Sequence, residues 1–222
     1  MAVAVAPSAV PDNVPVHPRL SPQMMGMYIF LASEVMFFGT LFGSYFYLFG
    51  SHNPWPPAGT HPVIWEPIPV INTIVLLSSG YTCNVAHLAI QKGERQKFLV
   101  WMVTTVILGI GFEIGQAYEF IEKLAPSWLG LSGADGMAFN SNPFATVFFT
   151  MTGFHGIHVL GGLVILCILL WRFQKGQFSA RHHVGVAAGA IYWHFVDLVW
   201  IFLFGILYLW MTFPGIALWH GQ

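Results

Sequence analysis

Beyond residue 22 the chain falls into apolar runs broken by short polar connections, and five of the runs are long enough to cross a bilayer. They lie at 23–49, 68–91, 97–122, 143–171 and 184–212, and each meets the span of about 20 residues that a transmembrane helix needs. The pattern predicts an all-α, polytopic membrane protein: a five-helix transmembrane domain over 23–213. Residues 1–22 carry Pro7, Pro11, Pro15, Pro18 and Pro22 among small and polar residues, a spacing that forbids a helix and reads as a mobile tail. The fifth run is the most informative because His194 and Asp197 sit near its middle, where ionisable groups are expensive. Three residues apart, they share a helix face and can satisfy each other or a polar group on a neighbouring helix, with Trp193 and Trp200 expected to face elsewhere.

The connections give an orientation. Lys and Arg accumulate in short cytoplasmic loops. Arg19 precedes the first run, Lys92, Arg95 and Lys97 lie between the second and third, and Arg172, Lys175 and Arg181 lie between the fourth and fifth. All of these fall on one side, and Lys123 alone falls on the other. The expected topology is therefore N-terminus cytoplasmic and C-terminus periplasmic. The longest connection, 123–142, is too short for a soluble domain with its own core. Gly39-x-x-x-Gly43, Gly111-x-x-x-Gly115 and Gly185-x-x-x-Gly189 suit close helix approach. No internal repeat of the transporter kind is visible.

Composition agrees with this picture. With 56% hydrophobic, 16% aromatic and 8% charged residues in 222, there is too little polar surface to cover a water-soluble globule. The net charge of −1 gives no reason to expect a nucleic-acid partner. Cys83 and Cys167 fall in different runs, which excludes a CxxC metal site or a disulfide framework. No basic residue precedes the short Ala/Val stretch at the N-terminus, so a cleaved signal peptide is not expected and the first run directs insertion.

At 1.5 Å per residue from the cytoplasmic ends, Glu34 lies at about 16 Å, His158 at about 20 Å, His194 at about 14 Å and Asp197 at about 18 Å. These form one central layer. His155 and His158 share a face of the fourth run, so a Glu34–His158 contact and an Asp197-centred network both fit. Glu113, Gln116 and Glu119 lie progressively nearer the outer surface. Three readings compete: interhelical hydrogen bonds that fix packing, a proton-active or carbodiimide-reactive carboxylate at Glu34, and a metal or haem site. Against the last, His155-x-x-His158 and His194-x-x-Asp197 lack the carboxylates that would complete a di-iron bundle. Trp55, Trp65, Trp128 and Trp219 fit an interfacial aromatic belt. The nine methionines are scattered and read as core filler. His182 and His183, beside Arg172, Lys175 and Arg181, fit positive-inside anchoring or an anionic head-group site.

Several ordered blocks carry a resemblance. They are Ser33-Glu34-Val35-Met36-Phe37-Phe38; Trp55-Pro56-Pro57-x-Gly59 followed by Asn72-Thr73 and Ser79-Gly80; Ala86-His87 and Gly93-x-Arg95; Gln116-x-x-Glu119; Thr152-Gly153-Phe154-His155-Gly156-x-His158-Val159; and Tyr192-Trp193-His194-Phe195-Val196-Asp197-x-Val199-Trp200. In this order the chain resembles subunit III of the haem-copper cytochrome oxidases. The resemblance implies a non-catalytic accessory subunit of a proton-pumping terminal cytochrome c oxidase in aerobic respiration. It implies subunits I and II as partners holding the haems and coppers, with no cofactor in this chain, and cytochrome c or another respiratory complex as an indirect partner. It also implies stabilisation of subunit I, bound phospholipid and support of proton uptake.

By position, Glu34 matches the family's buried carboxylate, which looks toward the His158 position, and Arg172 and Lys175 match basic positions near lipid head groups. Longer members have seven spans, the two additional ones preceding the first run here and walling a lipid cleft, so in this chain the cleft depends on a wall from another subunit. The five-span form looks bacterial, which implies the inner membrane, and Ser33-Glu34 looks more like the cytochrome c oxidases than the quinol oxidases. Subunit III of a quinol oxidase, a nitric-oxide-reductase-associated homologue, a membrane transporter and a self-sufficient haem or metal protein remain the alternatives.

Overall fold

A computed structural model describes residues 21–52, 55–57, 67–124, 139, 141–180 and 182–209. They form five long helices: α1 (Pro22–Ser51), α2 (Pro67–Gln91), α3 (Arg95–Leu124), α4 (Pro143–Gln174) and α5 (Val184–Phe204), the last running on into a π-helical turn, Gly205–Leu209. Among the described residues no strand occurs beyond an isolated bridge between Ser179 and His182. All five helices are long and apolar enough to cross a membrane, as the sequence pattern predicts. Of the tail expected over 1–22, only Ser21 and Pro22 fall within the described residues.

Local chemistry sets the ends. Ser21 and Asn142 cap α1 and α4, accepting from Met24 N at 3.4 Å and Ala145 N at 2.8 Å, and a proline follows each cap where its missing N–H costs nothing. At the other ends, Gly93 and Gly176 adopt φ of +75° and +73°. Each closes a Schellman motif, with Glu94 N on Ala89 O and Gly93 N on Ile90 O after α2, and Gln177 N on Arg172 O and Gly176 N on Phe173 O after α4. The first of these turns α2 straight into α3. Glu94 in that turn meets Lys97 at 2.9 Å, and this bond holds its carboxyl below the usual range; both side chains are exposed, so the pair contributes little to stability.

Helices α2, α3, α4 and α5 pack as a closed ring in that order, and α1 lies outside it against α4 and α5. The ring's interior is filled by Trp193, Trp200, Phe112, Phe144, Phe148 and Met151, all essentially inaccessible. In α1, by contrast, only Phe38 and Tyr45 are buried.

This arrangement decides which glycines matter. A side chain at Gly39 or Gly43 would meet nothing within 4 Å, so the first Gly-x-x-x-Gly makes no close approach inside the chain. The tight positions are Gly80, Gly109, Gly115, Gly162 and Gly189. The indole of Trp193 is wedged between Gly109 of α3 and Gly162 of α4, with its Nε1 donating to Ser79 Oγ of α2 at 3.0 Å.

Two expectations are corrected. Trp55 is 8% exposed and packs edge-on against Tyr45 and Phe144, so it is core rather than aromatic belt; Trp65, Trp128 and Trp219 lie outside the described residues. Nor do Trp193 and Trp200 face away from Asp197. Positions 193, 197 and 200 recur at helical spacing, and all three turn toward α2: Trp193 to Ser79, Asp197 to Gly80 and Trp200 to Thr73.

Candidate functional site

Glu34, His155, His158, His194 and Asp197 divide into three groups, because α4 and α5 present different faces to different neighbours. Glu34 and His158 meet across the α1–α4 interface, with Oε2 and Nε2 2.9 Å apart. The ring of His158 is fixed on its other side by Nδ1 to Phe154 O at 2.6 Å and is boxed by Phe37 and Phe38. A carbonyl only accepts, so Nδ1 must carry a proton. Nε2 then either donates to a Glu34 carboxylate or accepts from a protonated Glu34. Either way the pair holds one mobile proton and is neutral overall, which is the form a membrane interior tolerates.

His155 is separate. It is fully buried between α4 and α5, with Nε2 on Val196 O at 3.2 Å and its ring between Phe112 and Trp200. Its Nδ1 has no hydrogen-bond partner. His194 and Asp197 lie on the α2 side of α5, 3.8 Å apart, beyond hydrogen-bond range. No hydrogen bond among the described residues links the three groups.

Further polar contacts were not singled out by spacing. Tyr192 OH donates to His158 O at 3.0 Å, anchoring α5 to the helix that carries the Glu34 partner. Thr82 and Thr105 join α2 to α3 at 2.8 Å. Near the far ends of α3 and α5, Tyr208 OH donates to Glu119 at 2.8 Å, and Lys123 lies 3.5 Å from the same carboxylate oxygen. That pairing neutralises the basic residue that stood apart from the charge asymmetry of the loops. An ionisable residue one turn from a like-depth partner was the available signal, but only the tertiary arrangement supplies Tyr208.

Arg172 and Lys175 are exposed at the end of α4. Arg172 Nε donates to Gln177 Oε1 at 2.8 Å and its guanidinium lies over Phe178, while Lys175 stands 6.0 Å from the Trp171 ring centre. Among the described residues, no three or more His, Cys, Asp or Glu side chains gather as metal ligands would.

A family model described as cytochrome c oxidase subunit III matches residues 19–212. The chain belongs to that family. Among curated relatives, cytochrome c oxidase subunit 3 of Thermostichus vulcanus is 37% identical over 89% of this chain and 91% of its own length. The subunit 3 proteins of Neurospora crassa and Bos taurus are 37% and 38% identical over 84% and 83% of this chain, which spans 66% and 68% of theirs. Membership of the subunit III family makes the chain a multi-pass membrane component of an oxidoreductase complex, and other oxidase subunits are implied as its neighbours.

Proposed function

We propose that the chain is the non-catalytic accessory subunit of a proton-pumping terminal cytochrome c oxidase in a bacterial plasma membrane. It packs beside the subunits that hold haem and copper, carries no redox centre itself, and lies with its N-terminus in the cytoplasm. The observation that carries this reading is the subunit III match across 19–212, which takes in all five helices. Within that role the Glu34–His158 pair, with its single shared proton, supports proton uptake. Arg172 and Lys175, on the side where the basic loops gather, hold anionic phospholipid.

The test is to tag the chain, extract it gently from native membranes and record a reduced-minus-oxidised spectrum before and after stripping its partners. Haem that co-purifies and then leaves with the partners is expected. Haem that stays with the isolated chain, or none at either stage, would overturn the reading.

The lipid part has its own expected result. Each basic residue near an anionic surface contributes about 1 kcal/mol, so Arg172→Ala with Lys175→Ala should weaken anionic phospholipid retention by about 2 kcal/mol. Mass spectrometry of lipid in the purified complex reads this directly; unchanged anionic lipid would return both residues to simple anchoring.

A further inference from the structure

One face of the bundle, between α2 and α5, carries polar side chains at mid-membrane depth that the chain itself leaves uncovered. Tyr81 and Asn84 stand exposed on α2, and His194 keeps 44% of its side chain exposed on α5. With Asp197 they line an open hollow of about 490 Å³ rimmed by Leu77 and Leu198. Asp197 reaches this position because Gly80 has no side chain; a Cβ there would collide with Oδ2. The Asp197 side chain is only 9% exposed, its Oδ1 has no hydrogen-bond partner, and Oδ2 is 3.8 Å from His194. No described residue bonds the Tyr81 hydroxyl, the Asn84 amide or His194 Nε2.

A smaller hollow of about 250 Å³ between α3 and α4 also holds polar atoms without hydrogen-bond partners, Oε1 of Glu113 and both amide atoms of Gln116. Those atoms are buried, whereas Tyr81, Asn84 and His194 stand exposed; the outward residues elsewhere along the middle of α3 and α4 are apolar. On α3 the outward residues include Val103, Ile107 and Ile110, and on α4 Leu160, Val164 and Ile168. The exposed serine and threonine hydroxyls of α1, on Ser33, Thr40, Ser44 and Ser51, bond carbonyls of their own helix. Amide, imidazole and phenol groups left exposed to hydrocarbon without partners would each cost free energy.

Depth selects the occupant. His194 and Asp197 lie ~15–20 Å along α5 from Val184 and ~18–23 Å from Leu209, so they sit near the midplane from either side. A lipid head group stays at the interface, about 15 Å away, and an acyl chain offers no donor. The described Lys and Arg residues all lie toward helix ends, leaving Asp197 without a basic neighbour at its depth. A donor at the midplane has to arrive on another helix.

We infer that the α2–α5 face seats a transmembrane helix of another subunit of the oxidase, which brings a hydrogen-bond-donating side chain to Asp197 and His194. This rests on the oxidase reading above and adds where the chain docks and by what chemistry. Truncating one partner of such a buried pair weakens association by at least about tenfold, so Asp197→Leu lowers the haem recovered per tagged chain.

A photoreactive benzoyl-phenylalanine at Leu198, on the rim, tests the geometry in a chain that keeps Asp197; Ile107 on α3 is the comparison position. In membranes the Leu198 probe is expected to crosslink to a transmembrane segment of an oxidase subunit, and the Ile107 probe to lipid only. Wild-type chain that recovers no haem would defeat the oxidase reading itself. Haem recovered with wild type while the Leu198 probe takes only lipid, or takes the subunit no better than Ile107, would defeat the docking face alone. Unchanged haem recovery in Asp197→Leu would do the same.

Discussion

Replacing Gly162 by leucine is expected to prevent the folded chain from accumulating, and Gly162→Ala is expected to weaken it measurably. A Cβ at 162 would stand 2.8 Å from Cε3 and Cζ3 of Trp193 and 3.1 Å from Cε1 of Tyr192. The indole cannot retreat. It is fully buried, its Nε1 is tied to Ser79, and its far edge already lies so close to α3 that a Cβ at Gly109 would be 2.8 Å from Cη2. Overpacking of this kind costs about 1–3 kcal/mol, offset by the roughly 1 kcal/mol that alanine gains over glycine in a helix.

The control is Gly153→Ala on the same helix, where the nearest atom would be Phe120 Cε2 at an ordinary 3.7 Å. That change should be neutral or slightly stabilising. Thermal unfolding of both variants in detergent, followed by circular dichroism, separates them. Equal midpoints would mean that the Trp193 slot can widen freely.

Glu34→Ala should leave haem content intact while shortening the active lifetime of the complex during turnover several-fold. The alanine removes the partner of His158 Nε2 inside the membrane, an interhelical bond worth about 1 kcal/mol, and it removes the acceptor for the shared proton. Glu34→Gln divides these effects. Its amide can donate to Nε2 and keep α1 on α4, but it cannot exchange a proton with the imidazole. Association restored in Gln with turnover still failing would assign the pair to proton handling. Both variants behaving as wild type would leave only packing, and loss of haem from assembled complex with Glu34→Ala would sink the accessory role.

The sequence by itself determined the number of helices, their approximate bounds and the class of environment, because a spanning helix must be uniformly apolar over a fixed length and its breaks must be polar. It also placed Glu34, His158, His194 and Asp197 in one layer, since depth follows from a constant rise per residue. Rotation was not legible. In water an amphipathic stripe marks the inward face, but in lipid the outward face is as apolar as the core, and that period fades from the sequence. The same loss explains why the Gly-x-x-x-Gly at Gly39 and Gly43 points outward, while Gly109 and Gly162, which belong to no such motif, hold Trp193. Only the packing of α2 to α5 into a ring, with α1 laid outside it against α4 and α5, could turn Asp197 onto Gly80 beside the two tryptophans, join Glu34 to His158, and leave His155 apart from both. Those choices are made by side-chain volume and hydrogen-bond geometry between helices far apart in sequence, where no local pattern can record them.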